Sequence, residues 1–214
     1  MNRLSIIKPD DWHLHLRDSP YLEAIVCDTV RQFERAIVMP NLSPPVTSCA
    51  DALAYKSRIL SALPEGASFQ PLMTLYLTDN SSTDEIRSAS ESDSLFAAKL
   101  YPAGATTNSD AGVTDIRNIY PLFEAMQNHD FPLLIHGETV GPLVDVFDRE
   151  KQFIDSSLRT IHQNFPELRI VFEHITTADA VEYVLSEDKF IAATITPHHL
   201  LINRNAMFHG GIRP

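Results

Sequence analysis

The sequence predicts an α/β fold, a parallel sheet covered by helices, on three observations. Short apolar segments alternate with amphipathic segments along the chain. The apolar segments run nearly without polar interruption, as strands buried on both faces do. Residues able to do chemistry fall repeatedly at the ends of those apolar segments.

The elements follow in order. A short apolar start, 4–7, leads into a strand around Asp11-Trp12-His13-Leu14-His15-Leu16-Arg17-Asp18. Successive strand side chains point to opposite faces, so His13 and His15 share one face and Trp12, Leu14 and Leu16 the other. Ser19 is placed to cap a helix whose first residue is Pro20, with Leu22, Ile25, Val26, Thr29, Val30 and Phe33 at helical spacing. A second strand, 35–39, stops at Pro40-Asn41, and a helix follows over 50–63. The third strand is 69–77, and Thr83-Asp84-Glu85 reads as the next helix start. The fourth strand, 95–100, carries Lys99 and opens into a loop, 101–112, rich in Pro, Gly, Thr and Asn.

The spacing of Ile116, Ile119, Leu122, Phe123 and Met126 predicts a helix over 115–128, then a strand over 131–135. A helix over 148–164, a strand over 168–172, a short helix over 178–186 and a seventh strand over 190–195 complete the pattern. Two arrangements suit such a chain, the doubly wound open sheet and the (β/α)8 TIM-type barrel. No GxGxxG follows the first strand, which removes the main support for a dinucleotide-binding open sheet. His13, His15, Asn41, Lys99, His136 and His174 fall at C-terminal strand ends, which ring one mouth of a barrel. The barrel is therefore the expected architecture, as a single domain over 1–214.

Composition narrows the function. The 214 residues carry a formal net charge of -11, which disfavours nucleic acid and anionic membranes, since both require clustered Lys and Arg. No apolar run approaches the roughly 20 residues that span a bilayer, and no signal peptide pattern opens the chain, so the expected location is cytoplasmic. Cys27 and Cys49 lie in helical stretches without a CxxC motif and read as free thiols. His129, His162 and His209 read as surface residues, and His198-His199 as a structural pair near the mouth.

Four histidines at three strand ends suit a transition metal centre, because neutral imidazole nitrogens bind zinc at about 2.0 to 2.1 Å. Lys99 admits two readings. Its amine either reaches solvent, or, lowered in pKa by burial, reacts with carbon dioxide to give an anionic carbamate able to bridge two ions.

The order His-x-His, lysine, histidine, histidine on strands one, four, five and six resembles the amidohydrolase superfamily. The stretches 11–17, Met39-Pro40-Asn41, 98–107, Ile135-His136-Gly137-Glu138 and Phe172-Glu173-His174-Ile175 are similar to the shorter bacterial dihydroorotases. The resemblance covers the whole chain. It implies that His13 and His15 bind one divalent metal, His136 and His174 a second, with carbamylated Lys99 as the bridge and zinc as the expected metal. It further implies the reversible cyclisation of N-carbamoyl-L-aspartate to L-dihydroorotate in pyrimidine biosynthesis, with Arg17 and Asn41 holding the substrate carboxylate, Thr106 and Thr107 on a loop that closes over it, and a homodimer as the assembly. In that family an eighth strand carries an aspartate that acts as ligand and proton shuttle. Here about seven strands precede Pro214, so the expectation is a barrel whose C-terminal portion is missing, with little activity of its own and its catalytic aspartate beyond Pro214. Two other readings stay open: a hydantoinase-like cyclic amidase, and an inactive metal-binding barrel.

Overall fold

The computed structural model describes residues 4–211; Ile212, Arg213 and Pro214, the end of the expected C-terminal break, lie outside the described residues. Seven strands form one sheet in sequential order, every neighbouring pair parallel. They are β1 (Asp11–Leu14), β2 (Arg35–Val38), β3 (Gln70–Tyr76), β4 (Leu95–Leu100), β5 (Leu133–Ile135), β6 (Ile170–Phe172) and β7 (Ile191–Ala193). Laid flat, β1 and β6 would stand about 24 Å apart, five strand spacings of roughly 4.8 Å. Yet His13 Nδ1, on β1, lies 2.9 Å from Glu173 Oε1, just past β6. The sheet therefore curls into the expected TIM-type barrel wall. Among the described residues it stays unjoined between β1 and β7.

The helices, all but the last of which bury residues, pack on the outer face; the last borders the mouth. They are α1 (Pro20–Gln32), α2 (Cys49–Ser61), α3 (Thr83–Ser90), α4 (Tyr120–Asn128), α5 (Arg149–Phe153), α6 (Arg159–Asn164), α7 (Ala178–Ser186) and α8 (Pro197–Leu201). The expected helix over 115–128 divides into a 3-10 turn, Ile116–Ile119, and α4, because Pro121 has no N–H for an interior helical bond and sits in α4's first turn. The expected helix over 148–164 contains a π turn, Ile154–Leu158, between α5 and α6. Ser48, Ser82 and Thr177 cap α2, α3 and α7 through their side chains. Ser19 does not cap α1 as expected. Its backbone takes φ 52°, and its side chain makes no cap hydrogen bond.

Strand alternation sorts the core into two layers. Val38, Met73, Leu75, Ala98, Leu100, Leu133, Ile135, Ile170 and Phe172 belong to the larger apolar cluster with the helices. Ile37, Met39, Leu72, Ala97 and Leu134 form a second cluster, with Val171 packed against it, and this fills the barrel interior. The inner column continues by twos from Ala97 to Lys99, from Leu134 to His136 and from Val171 to Glu173. At their C-terminal ends the apolar interior gives way to charge.

Cys27 is exposed and Cys49 half-buried, both free. His129 and His209 are exposed, whereas His162 is not the surface residue expected: its Nδ1 is buried, and its Nε2 lies 3.5 Å from Glu187. The segment after His174 is tied down by Glu150 of α5, a buried carboxylate. It accepts hydrogen bonds from the backbone N–H and hydroxyl groups of Thr176 and Thr177. Glu150→Ala leaves those donors unpaired at the start of α7, and hydrogen bonds to a charged group contribute about 1.5 to 3 kcal/mol. Urea unfolding should show a loss of roughly 2 to 4 kcal/mol, with Glu150→Gln losing less.

Candidate metal centre

At the C-terminal mouth the two predicted imidazole pairs converge. His13 Nε2 and His15 Nε2 lie 3.0 Å apart, and His136 Nδ1 and His174 Nε2 lie 3.2 Å apart. The rings of His13 and His174 stand 5.1 Å apart, centroid to centroid, which brings the two pairs into one cluster. β1 ends at Leu14, so His15 joins His13 by continuing the extended path one residue past the strand. His174 arrives differently. Alternation from Phe172 would turn it outward to the helices, but its φ of 44° swings it back, and its N–H donates to Thr194 Oγ1 at 2.8 Å. A non-glycine residue in that conformation costs of order 1 to 3 kcal/mol and persists only where its surroundings enforce it.

Lys99 is fully buried at the end of the inner column. Its Nζ contacts Glu173 Oε2 and lies 4.9 Å from the Tyr101 ring centroid. Burial pulls the Lys99 amine below the ordinary lysine range, and the Glu173 carboxylate opposes the shift. Burial pushes Glu173 up, but the Lys99 and His13 contacts outweigh it and leave the carboxyl at about 2. Burial, with His13, Arg17 and Lys99 nearby, lowers His15 to about 3. Burial, with Lys99 and His136 nearby, lowers His174 to about 2. Both imidazoles are therefore neutral, the form that donates a lone pair to a metal.

Glu173 is the site residue that chemical reasoning on the sequence did not single out. It was legible: counting by twos from Val171, as from Leu134 to His136, places it inward. A predicted strand ending at Phe172 stopped the count one residue short. Glu173 and the two imidazoles of His13 and His174 place ligand-capable atoms within 4.8 Å of one another.

The fit of this donor set to divalent metal is good. Four imidazoles supply nitrogen atoms in two pairs, each about as far apart as two ligands of one ion, around a lysine whose pKa burial lowers.

A cavity of about 450 Å³ opens onto this centre, lined by His13, His15, Arg17, Asn41, Tyr101, Thr106, Thr107, His136 and His174 among others. Arg17 also has positive φ, 60°, and its carbonyl accepts a 2.5 Å hydrogen bond from Tyr55 Oη. Strand alternation thus does not explain its position, since β1 has already ended; the bend at Arg17 and its anchor to α2 do. Its guanidinium has no carboxylate within 4.0 Å among the described residues. Asn41 is buried, donating from Nδ2 to the Thr107 carbonyl at 2.9 Å, and its Oδ1 has no partner among the described residues. Thr106 and Thr107 lie in the cavity wall, and so do His198 and His199, paired through Thr196.

Gly137, next to His136, is required by packing. A Cβ there would lie 1.8 Å from Phe172 Cε2, on a ring with no exposed surface. Gly137→Ala should destabilise the chain by about 1 to 3 kcal/mol in urea unfolding, as overpacking does, and should displace His136.

The comparisons agree with this geometry. The model of the amidohydrolase family matches residues 6–210. A dihydroorotase of Picosynechococcus sp. is 63% identical over 214 residues, all of this chain and 62% of that protein. The crystal structure of dihydroorotase from Campylobacter jejuni superposes with a TM-score of 0.87 at 42% identity, over 97% of this chain and 59% of that one. Dihydroorotase from Saccharomyces cerevisiae, solved in complex with 5-fluoroorotic acid, superposes at 0.83 with 32% identity, over 92% of this chain and 58% of that one. The chain thus spans about three fifths of the length of these relatives.

Proposed function

The chain belongs to the amidohydrolase family, and on that premise we propose that residues 1–214, as a single domain, carry the metal centre and substrate pocket of a dihydroorotase. The reaction is the reversible cyclisation of N-carbamoyl-L-aspartate to L-dihydroorotate in pyrimidine biosynthesis. The observation that carries the reading is the pairing of four strand-end imidazoles around buried Lys99, with unpaired Arg17 in the wall of the same cavity. The similarity to dihydroorotases over the whole chain supports it.

In this reading His13 and His15 hold one divalent ion and His136 and His174 the other, with zinc as the proposed metal. Lys99 is shared as a carbamate: its neutral amine forms a C–N bond to carbon dioxide and releases a proton. When bound, such a pair of ions polarises a carbonyl and lowers the pKa of water, as opening or closing a cyclic amide requires. Everything else falls to the protein's own groups. Arg17 receives the substrate carboxylate through parallel N–H donors. The second N–H of the Asn41 amide adds to that grip, the first being committed to Thr107. Thr106 and Thr107 wall the pocket, whose volume is in the range for a small ligand. The proposed setting is the cytoplasm, as a homodimer; no helix among the described residues is long and apolar enough to cross a membrane.

Arg17 in the cavity favours an acidic substrate over the neutral ring of a hydantoin, and the complete set of imidazoles favours a working centre over a decayed one. Zinc-loaded chain is expected to hold about two metal ions by elemental analysis and to bind dihydroorotate, by calorimetry, far more tightly than unsubstituted hydantoin. Equal affinity for the two would refute the acidic-substrate reading, and an empty centre would refute the metal reading. Arg17→Ala should weaken dihydroorotate binding by roughly 30- to 150-fold, the loss of about 2 to 3 kcal/mol from a charge-assisted pair, with metal content unchanged.

A further inference from the structure

We propose that Glu173 is the positioning residue of the metal centre: it accepts the Nδ1–H of His13 and thereby fixes the tautomer that leaves Nε2 free as a ligand. The inference rests on the metal reading above and adds a residue to it.

Glu173 has two oxygens and two partners. Oε1 lies 2.9 Å from His13 Nδ1, and Oε2 contacts Lys99 Nζ. The residue is buried, so no bulk water competes for either oxygen. A neutral imidazole carries one ring proton. Placed on Nε2, that proton would leave the Nδ1 lone pair facing the lone pairs of a carboxylate. Placed on Nδ1, it makes a charge-assisted hydrogen bond, and the Nε2 lone pair faces His15 Nε2 at 3.0 Å, where a shared ion would sit. A metal-ligating histidine that donates its other N–H to a carboxylate is held in orientation and made more basic.

Glu173 could instead be a ligand itself, since it clusters with His13 and His174. Its contacts argue otherwise, because both oxygens are already held by donors. Binding an ion directly would strip His13 of its acceptor. Nor does Glu173 line the cavity where substrate would lie. It acts through His13.

Two measurements on the chain test this. Two-bond ¹H–¹⁵N correlation spectra of metal-free, histidine-labelled wild type at pH 8 report the tautomer of His13 directly. The Nδ1–H form is expected, and an Nε2–H form would overturn the proposal whether or not the chain binds metal. Zinc affinity, from competition with a chromophoric chelator, is then compared between wild type and Glu173→Gln. The amide keeps the shape but not the charge, so the variant should mix His13 tautomers and bind zinc 10- to 100-fold more weakly, at unchanged stoichiometry. A folded Glu173→Gln with wild-type affinity overturns the proposal. So does outright loss of one ion with the His13 tautomer intact, which would make Glu173 a ligand. If Glu173→Gln does not fold, the wild-type tautomer decides. A wild type that takes up no zinc yet shows the Nδ1–H form would refute the metal reading and leave the orientation of His13 by Glu173 standing.

Discussion

The contact between Lys99 and Glu173 is the constraint on which the rest depends. Each group is buried, and an isolated buried charge costs far more than any single hydrogen bond returns. Lys99 stands on β4 and Glu173 just past β6, so the two neutralise one another only if the sheet is curved enough for inward side chains to meet. The third member, His13, comes from β1, five strands from β6 along the sheet. A buried ion pair is weak evidence for stability and better evidence that something other than stability retains it. Hydrophobic residues of similar size would fill the end of this barrel at lower cost.

The surroundings maintain that cost. Below the charged layer, Ile37, Met39, Leu72, Ala97 and Leu134 exclude water from the interior. Beside it, Tyr101 stacks on Tyr76 at 5.1 Å and offers its ring face to the Lys99 ammonium. Burial raises the Tyr101 hydroxyl well above the ordinary tyrosine range, so it stays neutral beside Glu173. The same dry environment that makes the lysine costly makes its amine easier to deprotonate, which is the property carbamate formation uses. Strain is concentrated here as well. His174 and Arg17 both take left-handed backbone conformations, and both end in the cavity wall.

Much of this was legible in the chain. Strand existence and order follow from the apolar runs, because a strand covered on both faces leaves no other pattern. The boundaries moved by one or two residues at β5, β6 and β7. His136 was legible because it follows an unbroken apolar run, and the other imidazoles because they stand at or just past the ends of predicted strands. Arg17 and His174 reach the cavity by routes that side-chain alternation does not give, since each sits at a positive φ that an L-residue sequence does not announce. Glu173 obeys alternation and was passed over, because a histidine beside it drew the reading. The π turn at Ile154–Leu158 and the failure of Ser19 to cap α1 have no local signature in the sequence.

The distribution of charge explains why one lysine can serve both a folded chain and a metal centre. In the structure described here Lys99 is compensated by Glu173, and the imidazole nitrogens of each pair lie within hydrogen-bond distance of one another. Adding cations would make an ammonium at Lys99 unfavourable by repulsion, whereas a carbamate would carry the opposite charge and be drawn to them. Glu173 would then lose its partner on Oε2 and keep the one on Oε1. The carboxylate that balances the lysine before loading is thus already bonded to a ligand that must be oriented afterwards. In the proposed centre one buried acid would serve both states, as counter-charge to the lysine before loading and as acceptor for His13 after it.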